Sequence, residues 1–332
     1  MEIRMDKLIA AFPENITESL EIGARASLNK KPENVTSILI CGLGGSGIGG
    51  SLISKWVENE CAVPVNVSKE YTIPAYVNES TLVICSSYSG NTEETLESVD
   101  AALKAGAQVV GITSGGRLLE ICKENGLDHV VVPGGNPPRS ALAYSLIQLA
   151  NILVQYGFVD EKILKQIEKA RMLLMQEEKS IKKKAKEIAE FFALDKVPVL
   201  YSTSDFGPVL MRARQQINEN SKRVCWHHVI PEMNHNELVG WGLGDDRYAV
   251  LFLDSLWING RNKKRLELTR EIVGTKTKNV KTVSGIGNSL VEQSLYFINL
   301  LDWASFYMAE LGEVDAVEVN VIDYLKGELA KL

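Results

Sequence analysis

An acid and an imidazole, each wrapped in amides, are the side chains of this sequence best suited to move protons. Glu219 lies in Asn218-Glu219-Asn220, and His235 follows 16 residues later in Asn234-His235-Asn236-Glu237. A helix-borne carboxylate and an imidazole, the side chain whose ordinary pKa of about 6.5 lies nearest neutrality, make a natural acid–base couple. Taken singly, each has a plainer reading: an exposed helix acid and a surface-loop ring. Three of the four histidines, His227, His228 and His235, fall within nine residues. Adjacent His227 and His228 diverge on regular structure, and neither HxxxH nor HExxH spacing occurs, so no metal centre is expected.

The elements that must position this couple read as α/β. Ser37–Cys41 and Thr81–Cys85 are short apolar runs of the kind buried on both faces of a parallel sheet. The first runs into Gly42-Leu43-Gly44-Gly45-Ser46-Gly47 and then a helical pattern, a layout that aims backbone N–H groups at an anion. Gly42, Gly44 and Gly47 match GxGxxG. The next strand, Val63–Val67, is followed only by Glu70 as a ribose partner, so a dinucleotide site is poorly supported. The second run leads into Ser86-Ser87-Tyr88-Ser89-Gly90-Asn91-Thr92, where four serine or threonine hydroxyls stand within seven residues before a helix. Hydroxyls and free N–H groups can cradle a phosphate without a lysine. Equally, Asn91 and Glu94 have the spacing of an N-cap and its capping-box partner, which would make the stretch a helix start and nothing more. Arg139, after Pro137-Pro138, can present a fixed cation to an oxyanion, or be a surface arginine.

A length of 332 residues fits about two domains. The net charge of −6 gives no reason to expect nucleic acid or an anionic membrane as partner, so a phosphate must be held by local dipoles or a few placed cations. Five cysteines without a CxxC pair read as reduced thiols of a cytoplasmic protein. The first residues carry charges inside their apolar turn and lack a signal-peptide core, and no apolar stretch reaches the length of a membrane span. Apolar spacing over 160–193 predicts two helices with a solvated lysine face. Strands resume at Lys196, and the turn at 202–208 loosely echoes the first half, as a diverged copy that no longer grips phosphate would.

The GGSG turn and the SYSGNTEET string resemble the sugar isomerase (SIS) domain. That resemblance implies phosphate contacts from Ser87, Ser89 and Thr92, with Gly45 and Ser46 from the first turn. The strings PPRSALAY, NENSK and PEMNHNELVGW, in that order, resemble the bifunctional phosphoglucose/phosphomannose isomerase family. The implied architecture is α/β with two SIS-type domains, each a parallel sheet covered by helices. A helical segment occupies 1–34, the phosphate-binding domain 35–155, a helical linker 156–194, and a second domain with C-terminal helices 195–332. The implied chemistry is reversible isomerisation of glucose 6-phosphate and fructose 6-phosphate through a cis-enediol, with neither cofactor nor metal. In it Glu219 carries the proton between C2 and C1, His235 with Lys326 opens the ring, and Arg139 steadies the enediolate. The resemblance also implies a homodimer whose histidine comes from the neighbouring subunit. The family commonly reads Asp-Pro-Thr where this chain has Asp315-Ala316-Val317, so acceptance of mannose 6-phosphate turns on Val317. The rivals are a sugar-phosphate sensor, which would need no Glu219, His235 or Arg139 and usually carries a DNA-binding module not visible here, and an isomerase of another sugar phosphate.

Overall fold

Seven consecutive residues, Thr81–Ser87, carry no charge and are all buried. A strand with that pattern must be covered on both faces, and it sits at the middle of a sheet. The computed structural model describes residues 3–29, 31–329 and 331. The chain divides into two units. One comprises Ala11–Met175 with Ser289–Glu292, and the other comprises the remainder.

The first unit holds α2 (Phe12–Arg25), which follows the short α1 (Met5–Ala10) of the other unit. It continues with β1 (Ser37–Cys41), α3 (Gly44–Val57), β2 (Val65–Ser68), β3 (Thr81–Ser87), α4 (Glu93–Lys104), β4 (Gln108–Thr113), α5 (Gly116–Glu124), β5 (Asp128–Val131) and α6 (Leu142–Gln155). The strands are all parallel, in the order β2-β1-β3-β4-β5. The second strand covers Val65–Ser68, beginning two residues and ending one residue later than its apolar run, Val63–Val67, predicts. Alternate side chains from β1, β3 and β4 (Leu39, Cys41, Val83, Cys85 and Val109) pack on Val99, Ala102, Leu118 and Cys122 of α4 and α5. On α6 even Gln148 and Asn151 are buried, and the Gln148 amide donates to the Ser19 carbonyl on α2 (2.7 Å).

One unbroken helix, α7 (Lys162–Phe191), replaces the two predicted over 160–193. Its apolar residues keep helical spacing throughout and no proline or glycine interrupts them, so nothing stops the helix. The second unit then contains β6 (Val197–Thr203), α8 (Gly207–Ser221), β7 (Trp226–Ile230), α9 (Glu237–Gly240), β8 (Tyr248–Asp254), α10 (Gly260–Gly274), β9 (Val280–Ser284), α11 (Leu290–Leu311) and α12 (Asn320–Leu329). Its parallel sheet runs β7-β6-β8-β9. Both sheets are wound alike: the first strand lies inside, the second flanks it on one side, and the third flanks it on the other.

Within the second unit α8 is fastened to α11 by a buried polar seam. Arg212, Gln216 and Asn220 recur at four-residue spacing, so they share one helix face. The Arg212 guanidinium donates to Asp302 (2.6 Å), and the Asn220 amide donates to Ser305 (2.9 Å). Burial drives the Asp302 carboxyl upward, while Arg212 and Gln216 pull it back. Removing one partner strands the other charge without solvent, so Asp302→Asn is expected to cost about 3–5 kcal/mol of unfolding free energy. Urea denaturation would read this directly, and a loss below about 1 kcal/mol would mean that the seam relaxes.

Candidate active site

In an open parallel sheet, ligands collect beyond the carboxyl ends of the strands, where the winding reverses. In the first unit that point lies between β1 and β3, the two strands followed by the glycine turn and the serine-rich turn. The turns touch: a Cβ on Gly42 would lie 2.7 Å from the Ser86 carbonyl oxygen. A Cβ on Gly45 would come within 2.7 Å of the Pro138 carbonyl, so only glycine lets the loop carrying Arg139 approach this closely. The loops after β4 and β5 are tied in as well. The Ser114 hydroxyl donates to the Tyr88 carbonyl (2.6 Å), and the Tyr88 hydroxyl accepts from the Asn136 N–H (3.3 Å). Gly45, Ser46, Ser87, Ser89, Thr92 and Arg139 therefore gather at one edge of one sheet. Arg139 is 6% exposed, so it is not the surface arginine of the plainer reading.

The helix-cap alternative for the serine-rich turn does not hold. The N-cap of α4 is Thr92, and no side chain caps it. The Asn91 side-chain amide oxygen instead accepts from the Arg117 backbone N–H (3.0 Å). Ser87 and Thr92 hydroxyls meet at 2.9 Å, Ser87 accepts from the Gly90 N–H (3.1 Å), and Ser89 accepts from the Asn91 N–H (3.2 Å). Gly90 has φ +73°, and a Cβ there would fall 1.8 Å from the Gly115 carbonyl oxygen, so the turn requires glycine. The result is a preordered ring of hydroxyls at the start of α4, whose first N–H groups receive no side-chain oxygen.

The second unit differs at its own reversal, between β6 and β8. Asp205 follows β6, where Thr203 donates to it (3.2 Å), and Asp254 ends β8, paired with Lys263 (2.6 Å). Carboxylates thus accompany the hydroxyls at this edge of the second unit, and a phosphate would meet like charge. This agrees with a copy that has lost phosphate binding.

Glu219 is half-buried in the last turn of α8. The helix ends at Lys222, in the left-handed region with φ +57°. The Lys222 ammonium donates to the Glu219 carbonyl (2.6 Å) and to the Glu318 carbonyl (2.7 Å), which draws the approach to α12 over the helix end. A groove of about 550 Å³ results, lined by Arg214, Glu219, Lys222, Arg223, Val224 and Cys225 on one side and by Glu318, Val319, Val321 and Ile322 on the other. Lys326 is exposed one helical turn beyond Ile322. Neither Arg214 nor the bridging role of Lys222 was legible in the sequence, because nothing local marks which face of α8 receives residues some hundred positions away.

His235 does not join Glu219. It ends the 3-10 turn Glu232–His235, beyond the carboxyl end of β7, and is exposed. Because β6 and β7 are parallel, α8 runs back along the sheet and delivers Glu219 to the amino edge, before β7 begins. The five residues of β7 put on the order of 13 Å between the two edges. The flanking amides hold the loop and not the imidazole: Asn234 donates to Thr269 (2.8 Å) and Asn236 to Glu232 (2.9 Å). Among the described residues the His235 ring has no hydrogen bond. No cluster of three or more His, Cys, Asp or Glu side chains that could hold a metal occurs among them either, and none of their helices is long and apolar enough to cross a membrane.

Residues 181–329 match the bacterial phospho-glucose isomerase C-terminal SIS domain. A Caldicellulosiruptor bescii protein named bifunctional phosphoglucose/phosphomannose isomerase is 37% identical, covering 97% of each chain. One of the same name from Aquifex aeolicus is 39% identical, over 89% of this chain and 90% of its own. In three dimensions the C-terminal domain of glucosamine-fructose-6-phosphate aminotransferase from Francisella tularensis superposes with a TM-score of 0.78, over 95% of this chain and 98% of its own. At 17% identity it shares the fold alone. With nearly the whole length matched at more than a third identity, this chain belongs to the bifunctional phosphoglucose/phosphomannose isomerase family.

Proposed function

We propose that the protein interconverts glucose 6-phosphate and fructose 6-phosphate through a cis-enediol, using acid–base groups and a fixed cation. The observation that carries this reading is the preordered hydroxyl ring at the reversal point of the first sheet, in a chain of this family. The sugar phosphate docks on Ser87, Ser89 and Thr92, with Gly45 and Ser46 supplying N–H groups from the neighbouring turn. His235 and Lys326 exchange protons with the ring oxygen and its neighbour to open the pyranose. Glu219 takes the C2 proton and returns it to C1, and Arg139 offsets the charge of the enediolate.

The opposite placement of Glu219 and His235 on one sheet supports a homodimer in which the partner copy contributes its histidine to each site. The five thiols, none in a disulfide, suit a reducing compartment, and the enzyme is assigned to the cytoplasm. Because the relatives are named phosphoglucose/phosphomannose isomerases, mannose 6-phosphate is assigned as the second substrate. Val317 replaces the hydroxyl residue common in the family, and the epimer is therefore turned over more slowly than glucose 6-phosphate.

The deciding experiment incubates purified protein with fructose 6-phosphate and a chelator, then quantifies glucose and mannose 6-phosphates separately. Formation of glucose 6-phosphate is expected. Binding of fructose 6-phosphate without either product would replace the enzyme with a sensor. Thr92→Ala removes a hydroxyl from a charged acceptor, an interaction of roughly 1.5–3 kcal/mol, and is expected to raise KM by about 10- to 100-fold. An unchanged KM would remove Thr92 from the phosphate site.

A further inference from the structure

Three cations line the groove around Glu219, and two of them are already engaged with main-chain carbonyls. Lys222 bridges Glu219 and Glu318. Arg223 donates to the carbonyls of Phe192 (3.0 Å) and Ala193 (2.9 Å), closing the C-terminal end of α7. Arg214 has no such duty. It makes no hydrogen bond or ion pair with any described residue, and its Nε is shielded from solvent without an acceptor.

Its surroundings sharpen the point. Cys225, which also lines the groove, has its thiol pushed up to about 12 by burial, against the pull of Arg214 and Arg223. His227 is pushed down to about 4, chiefly by burial and then by the Arg214 charge, so near neutrality the imidazole is uncharged. Its Nδ1 is likewise buried and unpartnered. Arg214 therefore has two neutral neighbours, Cys225 and His227, in a groove whose other wall carries Val319, Val321 and Ile322. A buried donor left unmatched is unfavourable, and the Arg214 Nε is one. The same guanidinium, with its donors unclaimed, is available to an oxyanion that develops in the groove.

We infer that Arg214 is a substrate-facing cation of the isomerase site, holding the sugar oxygens that become negative when Glu219 removes the C2 proton. This rests on the reading of Glu219 as the base. In that step the C2–H bond breaks and its proton passes to the Glu219 carboxylate. The released pair forms the C1–C2 double bond, and the carbonyl π pair moves onto O1. The O2 proton then passes to O1, the electron pair left on O2 forms the C2 carbonyl, and the C1–C2 π pair takes the proton back from Glu219 at C1, which completes the isomerisation with no other reactant. Negative charge thus grows on the oxygens next to the carbon that faces Glu219. Arg214 shares the groove with that carboxylate and has all of its donors uncommitted.

The test compares wild-type protein, Arg214→Met, Arg214→Lys and Glu219→Gln. Each is assayed with fructose 6-phosphate and with 5-phosphoarabinonohydroxamate, a mimic of the enediolate. Arg214→Met is expected to lower kcat by about 10²–10³-fold, as the loss of one oxyanion donor does, with KM changed only a few-fold. Affinity for the hydroxamate falls by a similar factor, because the mimic carries the charge that the ground-state sugar lacks. Arg214→Lys recovers part of both. A folded Arg214→Met protein with near wild-type kcat, or one with lowered kcat and unchanged hydroxamate affinity, would overturn the inference and leave Arg214 as a brace between α8 and β7. Glu219→Gln separates the two levels. Its inactivity beside an active Arg214→Met removes this inference alone, whereas an active Glu219→Gln removes the reading of the base and this inference with it.

Discussion

Glu219→Gln is expected to reduce kcat by about 10²–10⁴-fold, the contribution typical of a positioned general base. The substitution keeps the size and shape of the side chain and removes only its ability to accept a proton. The end of α8 should be undisturbed, because Lys222 holds it through the Glu219 main-chain carbonyl and not through the carboxylate. KM should stay within a few-fold, since the proposed phosphate contacts belong to the turns after β1 and β3. Exchange of the C2 hydrogen in deuterated water isolates the step: wild-type protein should label recovered glucose 6-phosphate, and the variant should not. A Glu219→Gln protein that labels at the wild-type rate would show that another group removes the proton.

Mixing two inactive variants is expected to restore activity. Glu219 and His235 occupy opposite edges of one sheet, so a site that uses both draws them from two copies of the chain. His235→Ala should be nearly inactive toward the cyclic sugar, and Glu219→Gln inactive altogether. In a two-fold dimer formed by random exchange of subunits, half the dimers are mixed, and each of these carries one intact site. Recovery should then approach about one quarter of the wild-type activity per chain. Recovery absent from a mixture shown to contain mixed dimers would mean that both residues serve the same copy, and that the loop bearing His235 moves by a long way. The two homodimers must first be exchanged, for instance by dilution and reconcentration, because a tight interface would hide the effect.

Local chemistry was legible in the amino-acid sequence. The apolar runs of β1 and β3 are buried on both faces, the glycine turn follows one, and the hydroxyl-rich turn follows the other, because strand burial and turn composition are short-range properties. Helix α11 begins and ends at the residues where its apolar pattern does. The motifs after β1 and β3, and those around Glu219 and His235, were enough to reach the family that whole-chain similarity then established.

What the sequence left open depended on contacts between distant residues. Asn91 and Thr92 are both good caps by type, and the choice fell to Thr92 because Asn91 is held by Arg117 on another helix. The approach of Gly45 to Pro138 joins turns more than ninety residues apart. Above all, 16 residues separate Glu219 from His235 along the chain, a spacing that reads as a couple. The parallel pairing of β6 with β7 decides otherwise, because a helix between parallel strands must return to the amino edge before the next strand can start. Sequence specified which residues can transfer protons, and sheet topology specified that one copy of the chain holds its acid and its imidazole at opposite edges.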